Sequence, residues 1–298
     1  MSRSPHVPAE LRGRFFSGVA AVRAGLLTED QLRGPAWRRL FRGVYASAEL
    51  PVTHALRARA AALLVVPGAV VTGVSAAALW QIDLVDPEDD VELTVPPGAH
   101  PRRVPGLRVR RVHLRPEHVR PRRGVPTTTP LATAVRLAGC LPLDEGVAAV
   151  DRIVHAGIAD LDDVRALAAS VRGADCARAR AACALADGLA GSPQETRLRL
   201  LFLRAGLPPP VAQCTVRRDG RFVADVDFGW PEHRVAVEYD GLWHGAPEQF
   251  GKDRRRLNRI TAAGWRVVFV TAADLPRPDD NVARVRAEQA AGVQLPGF

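Results

Sequence analysis

Acidic residues recur at two-residue spacing within residues 221–244. Asp225 and Asp227 lie two apart in one strand-like run, and Glu238 and Asp240 lie two apart at the end of the next. Because side chains i and i+2 of a strand point to the same face, a hairpin here would gather these carboxylates into one patch. Close like charges are costly unless a cation neutralises them or one carboxyl is protonated. The pattern therefore predicts a site for Mg²⁺ or Mn²⁺, which prefer oxygen ligands.

The same acids also have a structural interpretation that needs no ligand. Asp225 and Asp227 are equally typical of the solvent face of an ordinary two-faced strand. The opposite face would then carry the core residues Phe222, Ala224, Val226 and Phe228. This interpretation suits the second pair less well, because Glu238 and Asp240 follow the apolar run 235–237 and buried carboxylates need partners.

A further acid stands at the start of the helix that precedes these strands. The chain reads Ser192-Pro193-Gln194-Glu195, which places Ser at the N-cap, Pro at the first helical position and Glu at the third. Glu195 is therefore explained as the acid of a capping box. An outer contact to a metal ion or to a water molecule is the functional alternative.

The elements that must position these acids follow from the apolar spacing. From residue 191 onward the pattern predicts a helix, three strands, a helix, a strand and a final helix, the order of an α/β domain. The predicted strands after the first helix cover 211–216, 222–228, 235–237 and 265–270, and the later helices cover 248–263 and 280–291. The helix at 248–263 has a basic face that includes Lys252 and Arg256.

Composition limits the classes of partner and compartment. The 298 residues are enough for about two domains, and the net charge of +9 favours a polyanionic partner such as DNA. Lys252 is the one lysine, which a GC-rich coding bias also explains. The four cysteines show no CxxC spacing, which favours buried thiols in a reducing cytoplasm over zinc ligands. No signal peptide opens the chain and charges interrupt each apolar run, so we expect a cytoplasmic protein that spans no membrane.

The N-terminal region carries a helix, a capped second helix and a basic aromatic strand. The first helix is predicted over 16–24, Thr28 and Gln31 have the spacing of a capping box, and residues 37–45 alternate as a strand. This order is typical of a small winged-helix unit. A generic helical hairpin fits the same pattern equally well.

Residues 102–123 form the most basic part of the chain, with nine arginines and one acid, Glu117. One interpretation is a solvated loop and edge strand, where charge discourages strand-to-strand aggregation. The other is a stripe that contacts phosphates. The surrounding region, from residue 51 to 190, is otherwise rich in Ala and Leu and predicts an α+β domain followed by connecting helices.

The C-terminal region resembles the PD-(D/E)XK nuclease superfamily over about residues 191–275. The segments SPQETRLRLL, DVDFGWPEHRVAVEYDGLWH and RRRLNRITAAGW are most similar to the branch of very short patch repair endonucleases. The resemblance implies a restriction-endonuclease-like fold with a mixed sheet flanked by helices. It also implies that Asp227 and Glu238 hold the metal and that Glu195 assists.

The chain departs from that family at one position. Asp240 stands where the family motif has its lysine, and Lys252 lies 12 residues later on a predicted helix. Related repair endonucleases use histidine, which makes His244 the expected base or water-orienting group. On the basic helix, Lys252 and Arg256 would stabilise phosphate charge, although a solvated helix face explains them as well.

The N-terminal half resembles type IV abortive-infection antitoxins over about residues 15–155. The segments SGVAAVRAGLLTEDQLR, WRRLFRGVYA, AVVTGVSAAALWQI and TTTPLATAVRLAG carry this resemblance. It implies a DNA-reading winged helix followed by an antitoxin domain. The residues expected near the duplex are Gln31, Arg33, Arg38 and Arg39.

Together the patterns predict three regions and one leading function. A winged-helix-like DNA-binding unit covers 1–50, an antitoxin-like α+β and helical connecting domain covers 51–190, and a nuclease-like domain covers 191–298. The leading hypothesis is a Mg²⁺- or Mn²⁺-dependent DNA endonuclease targeted by the N-terminal unit. The alternative is a non-catalytic DNA-binding regulator, or an antitoxin-like protein with an inactive nuclease fold. Cleavage of RNA is a third hypothesis, because a phosphate cleft does not report the 2′-OH.

Overall fold

The computed structural model describes residues 7–240 and 247–293 as a mixed α/β protein. Strands in these ranges form sheets of three, five and four strands, and helices pack beside them. Among the described residues, every helix is too short or too polar to cross a membrane.

The chain divides into two compact units. Unit 1 combines residues 1–140 with 156–180, and unit 2 combines residues 141–155 with 181–298. This division differs from the boundaries predicted after residues 50 and 190. Helix α5, Leu143–His155, lies in unit 2 because it packs against α8, the helix Pro193–Arg204 that carries Glu195.

Unit 1 begins with a small three-stranded antiparallel sheet. The sheet has the strand order β1-β3-β2, with β1 at Phe15–Ser17, β2 at Trp37–Phe41 and β3 at Val44–Ser47. Helix α1 (Gly18–Arg23) and a 3₁₀ turn (Gln31–Arg33) lie between β1 and β2 along the chain. Phe16 and Trp37 pack edge to face, with ring centroids 5.0 Å apart, in a core that also holds Leu11 and Leu27.

The second helix predicted in this region is only one 3₁₀ turn. The capping box forms as expected, since the Thr28 N–H donates to Gln31 Oε1 and the Gln31 N–H donates to Thr28 Oγ1. Gly34 and Pro35 follow directly, and they end the helix because proline disfavours helical backbone in the residue before it. The first predicted helix and the basic strand are present, but a 3₁₀ turn stands where the winged-helix order has its second helix.

The second sheet of unit 1 has five strands in the order β6-β5-β4-β8-β7. Its strands are β4 (Val70–Val71), β5 (Val91–Val95), β6 (Leu107–Arg111), β7 (Val119–Arg122) and β8 (Val125–Thr128). The helices around it are α2 (His54–Ala60) with a π-helical turn (Ala61–Val65), α3 (Gly73–Leu79), α4 (Pro130–Cys140) and α6 (Leu161–Ser170). Apolar residues of α2, α3, β4 and β5 form the core. Helix α7 (Cys176–Leu185) continues the chain into unit 2.

Unit 2 is built on a four-stranded sheet in the order β12-β11-β10-β9. After α8 come β9 (Val211–Arg218), β10 (Arg221–Trp230), β11 (Val235–Asp240), α9 (Pro247–Ala262), β12 (Arg266–Thr271) and α10 (Pro278–Val293). Strands β9, β10 and β11 are antiparallel neighbours, and β11 pairs with β12 in parallel through the α9 crossover. Side chains of α8 and α10 share one apolar cluster with the sheet, and Ile260 of α9 lies in another.

The burial predicted for the strand 222–228 was wrong at Phe222. Ala224, Val226 and Phe228 are buried as expected, but Phe222 is 61% exposed. The pairing of β10 with β9 shifts register between Phe222 and Ala224, and this irregularity breaks the alternation that would have placed Phe222 in the core.

Candidate functional site

Glu195 is held as the acid of a capping box at the start of α8. Its backbone N–H donates to Ser192 Oγ over 3.2 Å, and its carboxylate accepts from Ser192 Oγ and from the Gly191 N–H, each over 2.8 Å. Gln213 Nε2 of β9 donates to the same carboxylate over 3.2 Å. The structural interpretation of Glu195 is therefore observed, and Glu195 also reaches toward the sheet.

A buried ionic network anchors the helix that carries Glu195. Asp151 of α5 is fully buried and accepts from the Asp187 and Gly188 N–H groups, from Thr196 Oγ1 and from Arg199 Nη2. Thr196 and Arg199 belong to α8, so the network ties that helix to α5. Arg199 also pairs with the Asp187 carboxylate over 3.0 Å. A buried network of this kind is rigid, because each polar group in it needs the hydrogen bonds of its neighbours to offset its own burial.

Asp227 lies where the pairing of β10 with β11 ends. The register runs from Trp230↔Val235 to Phe228↔Val237. Beyond it, the Tyr239 N–H donates to Asp227 Oδ2 over 2.7 Å. The carboxylate takes the place of a backbone acceptor, which fixes its position at the point where the two strands stop pairing.

The environment of Asp227 favours its protonated form. Burial raises the pKa of this carboxyl to about 6, and the nearby carboxylates of Glu195 and Glu238 raise it as well. The hydrogen bond from the Tyr239 N–H and the charge of Arg256 act in the opposite direction. A titratable acid with a pKa in this range is typical of functional sites, and also of structural ion networks.

Glu238 is neutralised by an arginine of α9. Arg256 Nη1 lies 2.6 Å from Glu238 Oε1 and donates a hydrogen bond to Oε2 over 2.8 Å. Arg256 Nη2 also donates to the backbone carbonyl of Asp225. The guanidinium thus connects the two strand ends and supplies the positive charge that the clustered acids require.

The predicted site residues separate into three groups. Glu195, Asp227 and Glu238 interact with one another and with Arg256; these four residues are called the acid cluster below. Asp225 is exposed and accepts from Thr215 Oγ1 over 2.6 Å, and Asp240 is exposed at the end of β11. His244 lies outside the described residues. Lys252 lies within α9, but its side chain lies outside the described part.

The acid cluster offers the right atoms for a divalent metal but not a closed set of ligands. Asp227 and Glu238 carry carboxylate oxygens of the kind that Mg²⁺ binds, although Glu238 Oε1 is already in an ion pair with Arg256 Nη1. Among the residues whose side chains the structure describes, however, no three His, Cys, Asp or Glu side chains are grouped so that they could hold a metal ion. A metal ion would have to compete with Arg256 for Glu238.

Two of the four predicted DNA contacts are engaged in local structure. Gln31 Oε1 accepts from the Thr28 N–H over 2.7 Å as the second half of the capping box. Arg33 Nη1 pairs with Asp30 over 2.8 Å, in an exposed pair that costs little to open.

The other two predicted DNA contacts are free to meet a phosphate. Arg38 and Arg39 are exposed on β2, and neither guanidinium group makes a hydrogen bond or ion pair within the described part of the chain. Guanidinium groups in this state bind phosphate oxygens well through two parallel hydrogen bonds.

The arginine-rich stretch 102–123 does not form one uniform stripe. Arg108 pairs with Glu92 over 3.2 Å, and Arg122 lies over the Trp80 ring at 4.8 Å from its centroid. The remaining arginines divide between a loop, β6 and β7. Part of this charge therefore stabilises unit 1 itself.

Two features of unit 2 have no counterpart in the sequence predictions. The side-chain amide of Gln213 donates to the Glu195 carboxylate, and the Gln213 backbone has a φ of +48°. The local sequence pattern indicates neither this hydrogen bond nor this backbone conformation. The tip of the β9–β10 hairpin carries exposed Phe222 with three exposed arginines, namely Arg217, Arg218 and Arg221. The basic residues around Asp219-Gly220 were the available signal for this tip.

Comparison with known proteins gives close relatives of unknown activity. Two Mycobacterium tuberculosis proteins, named "Uncharacterized protein MT2308" (strain CDC 1551 / Oshkosh) and "Uncharacterized protein Rv2248" (strain ATCC 25618 / H37Rv), are each 32% identical to this chain over 259 residues. The alignment covers 85% of this chain and 92% of each relative. This chain belongs to their family.

Part of this chain matches an antitoxin family model. Residues 60–187 match the family described as "AbiEi antitoxin C-terminal domain". The resemblance of this region to abortive-infection antitoxins is therefore confirmed. The match spans all five strands of the second sheet of unit 1 and the helices α3 to α7.

One solved structure is similar at a lower level. The crystal structure of the RV2827C protein from Mycobacterium tuberculosis aligns with 72% of this chain and 86% of its own, with 17% identity and a TM-score of 0.41. A likeness of this size carries no conclusion about the activity of the family.

Proposed function

We propose that this protein is an antitoxin-like, DNA-binding regulator that does not cut its DNA. The match of residues 60–187 to an antitoxin domain carries the proposal. The non-catalytic hypothesis raised by the missing family lysine is consistent with this match.

The charge distribution supports DNA as the partner. The chain has a net charge of +9, and exposed Arg38 and Arg39 stand on the β2–β3 hairpin beside a short helix and a 3₁₀ turn. A basic hairpin next to a helix is the arrangement with which winged-helix units contact a duplex. Phosphate contacts of this kind dominate affinity and make it dependent on salt.

The acid cluster supports the absence of catalysis. Arg256 already supplies a positive charge beside Glu238, and the raised pKa of Asp227, about 6, lets this carboxyl take up a proton more readily than an ordinary aspartate. Repulsion between the acids is therefore relieved in part by a side chain of the protein and, below about pH 6, by a proton.

Fluorescence anisotropy with a labelled duplex tests the DNA partner. We expect binding whose logarithmic affinity falls linearly with the logarithm of salt concentration, and we expect the double variant Arg38→Gln/Arg39→Gln to lower the slope by about 2. The control is the double variant Arg180→Gln/Arg277→Gln, which removes the same charge from two other exposed positions. If both double variants gave the same slope of logarithmic affinity against logarithmic salt concentration, β2 would not be part of the DNA interface.

A second candidate function is a metal-dependent phosphodiesterase in unit 2. Its support is the convergence of Glu195, Asp227 and Glu238 from a helix and two strands, together with the raised pKa of Asp227. In this function Asp227 and Glu238 would hold Mg²⁺ or Mn²⁺. The bound ion would polarise a phosphoryl oxygen and lower the pKa of the attacking water. Arg256 would first have to leave Glu238.

Calorimetric titration with Mn²⁺ separates the two candidates. If the protein is a non-catalytic regulator, we expect no Mn²⁺ site that the substitution Glu238→Ala abolishes. The phosphodiesterase predicts one site, lost in Glu238→Ala and kept in the matched exposed-acid variant Glu232→Ala, together with cleavage of DNA or RNA oligonucleotides. Cleavage of RNA alone would favour the third hypothesis made from the sequence.

A further inference from the structure

Unit 1 contains a cavity that none of the functions above uses. It has a volume of about 430 Å³, within the range of roughly 300–1,000 Å³ that is usual for small-molecule sites. The five-stranded sheet forms its floor. Helix α4, the C-terminal end of α6 and the segment 171–176 form its walls.

The floor of this cavity is a row of polar side chains across four neighbouring strands. Arg110 of β6 lies beside Thr94 of β5 in the parallel register, and Thr94 Oγ1 lies 3.0 Å from Oγ1 of Thr72, the residue after β4. Thr128 of β8 continues the row. The bond between Thr72 and Thr94 uses one of their two hydroxyl protons, so the other can be donated to a ligand oxygen.

Arg110 is the charged group of the row and has no protein partner. It is partly buried, and it makes no hydrogen bond or ion pair with the described residues. Burial lowers the pKa of Arg110, and the nearby Arg136 guanidinium lowers it further. Arg136 is itself held by Asp175 over 3.0 Å. The carboxylates of Asp175 and Glu92 act on the pKa of Arg110 in the opposite direction. The cavity lining still has a surplus of positive charge, because it carries the guanidinium groups of Arg110, Arg136 and Arg172 and the carboxylate of Asp175.

The walls around this charge are mainly apolar. Val135 of α4, Leu167 of α6 and Val171 face the cavity together with Val112 and Leu114. A hydrated inorganic ion would leave these side chains against water, whereas an apolar ligand would cover them. The cavity is concave and lies between sheet and helices, which does not suit the backbone of a DNA duplex.

We propose that this cavity binds a small organic molecule with an apolar body and one terminal oxyanion, which Arg110 and the threonine hydroxyls hold. A carboxylate and a phosphate monoester share this chemistry, since both accept two hydrogen bonds from one guanidinium. Binding of such a ligand is a property of the cavity alone and does not depend on whether the protein binds DNA or cuts it.

Calorimetry and thermal shift with octanoate, octyl phosphate and 1-octanol test this inference. We expect both anions to bind the full chain at least about tenfold more tightly than the neutral alcohol, because a charged hydrogen-bonded pair is lost with the alcohol. The relative affinity of octanoate and octyl phosphate identifies which oxyanion the cavity prefers. Inorganic phosphate should bind more weakly than octyl phosphate, because it lacks the apolar body.

Two variants assign the binding to the cavity. Arg110→Gln should reduce the affinity for octanoate and octyl phosphate by about tenfold or more and leave 1-octanol unchanged. Arg103→Gln, which removes the same charge from an exposed loop, should bind like the wild type. Ala132→Leu narrows the apolar wall and should weaken all three probes.

Three outcomes would overturn the inference. They are equal binding of 1-octanol and octanoate by the wild type, equal losses in Arg110→Gln and Arg103→Gln, and no binding of any probe. Displacement of octyl phosphate by a DNA duplex, with the same loss in Arg110→Gln, would assign Arg110 to the nucleic-acid surface instead.

Discussion

The acid cluster of unit 2 and the cavity of unit 1 are opposite solutions to the placement of charge. In the acid cluster, the guanidinium of Arg256 pairs with Glu238, and the Tyr239 N–H satisfies Asp227. In the cavity, Arg110 has no partner among the described residues. In the cluster that looks catalytic in the sequence, an arginine pairs with one of the acids. The charge without an ion pair lies in the stretch 102–123, for which the sequence left a solvated edge strand and a phosphate-contacting stripe as alternatives.

This difference shows what clustered charge implies about ligands. A group of like charges requires compensation, but the protein can supply it with its own side chains or by a proton. Only compensation that is missing points to a ligand. By this criterion the cavity is the stronger candidate for a small molecule, and the acid cluster is the stronger candidate for a structural network.

The largest effect is expected from breaking the internal network that anchors α8. Asp151→Ala removes one of the two carboxylates that pair with the buried Arg199 and should cost about 3–5 kcal/mol of stability. Chemical unfolding monitored by circular dichroism measures this loss. Glu232→Ala, an exposed acid of the same unit, is the control and should change stability by less than about 0.5 kcal/mol. Similar losses in both variants would mean that the network is not a rigid anchor.

A smaller effect is expected from opening the acid cluster itself. Arg256→Ala removes the cation beside Glu238 and should cost about 1–3 kcal/mol at neutral pH. Because the acids then repel one another, Mn²⁺ should raise the melting temperature of this variant and not that of the wild type. Arg255→Ala, an exposed neighbour on α9, serves as the control. If Mn²⁺ stabilises the wild type as strongly as Arg256→Ala, then Arg256 is not the compensating cation.

The pH dependence of stability tests the proton on Asp227. Its pKa is about 6 in the folded protein, above the ordinary 3.8, so the folded state binds more protons between these values. Stability of the wild type relative to Asp227→Asn should therefore be greatest below pH 4 and fall by about 3 kcal/mol as the pH rises from 4 to above 6. Asparagine keeps an acceptor for the Tyr239 N–H, so the comparison isolates the titration. A flat difference between pH 4 and pH 7 would show that the pKa is not raised.

The smallest effect on stability is expected in the cavity. Arg110→Gln removes a partly buried charge that has no protein partner, so stability should stay within about 0.5 kcal/mol of the wild type or increase slightly. Thermal unfolding without ligand measures it, with Arg103→Gln as the matched control. A loss as large as that of Arg256→Ala would mean that Arg110 is paired in the folded protein.

The sequence predicted the elements of unit 2 well because their apolar periods and turn residues are local. The capping box at Ser192 and the hairpin turn at Asp219-Gly220 lie where these patterns place them. The strand predicted over 235–237 is present and extends to Asp240. The position of Phe222 was not predictable, since a register shift depends on the partner strand. The helix after Thr28 was overpredicted because Gly34 and Pro35 were given too little weight against the capping box.

The acids of the candidate site were predictable, but their compensation was not. Glu195, Asp227 and Glu238 are brought together as their order on a helix and two strands indicates. That Arg256 reaches Glu238 depends on how α9 packs against β10 and β11, which no local pattern reveals. The absence of a protein partner for Arg110 likewise becomes visible only when the whole cavity is built.

The central claim is that this protein binds DNA without cutting it, and one gel experiment tests that claim directly. Supercoiled plasmid is incubated with the protein and Mg²⁺ or Mn²⁺, and it is run before and after digestion of the protein by a protease. The account predicts a retarded plasmid before digestion and intact supercoiled plasmid afterwards. Nicked or linear plasmid that appears with the wild type and not with Asp227→Ala would contradict it.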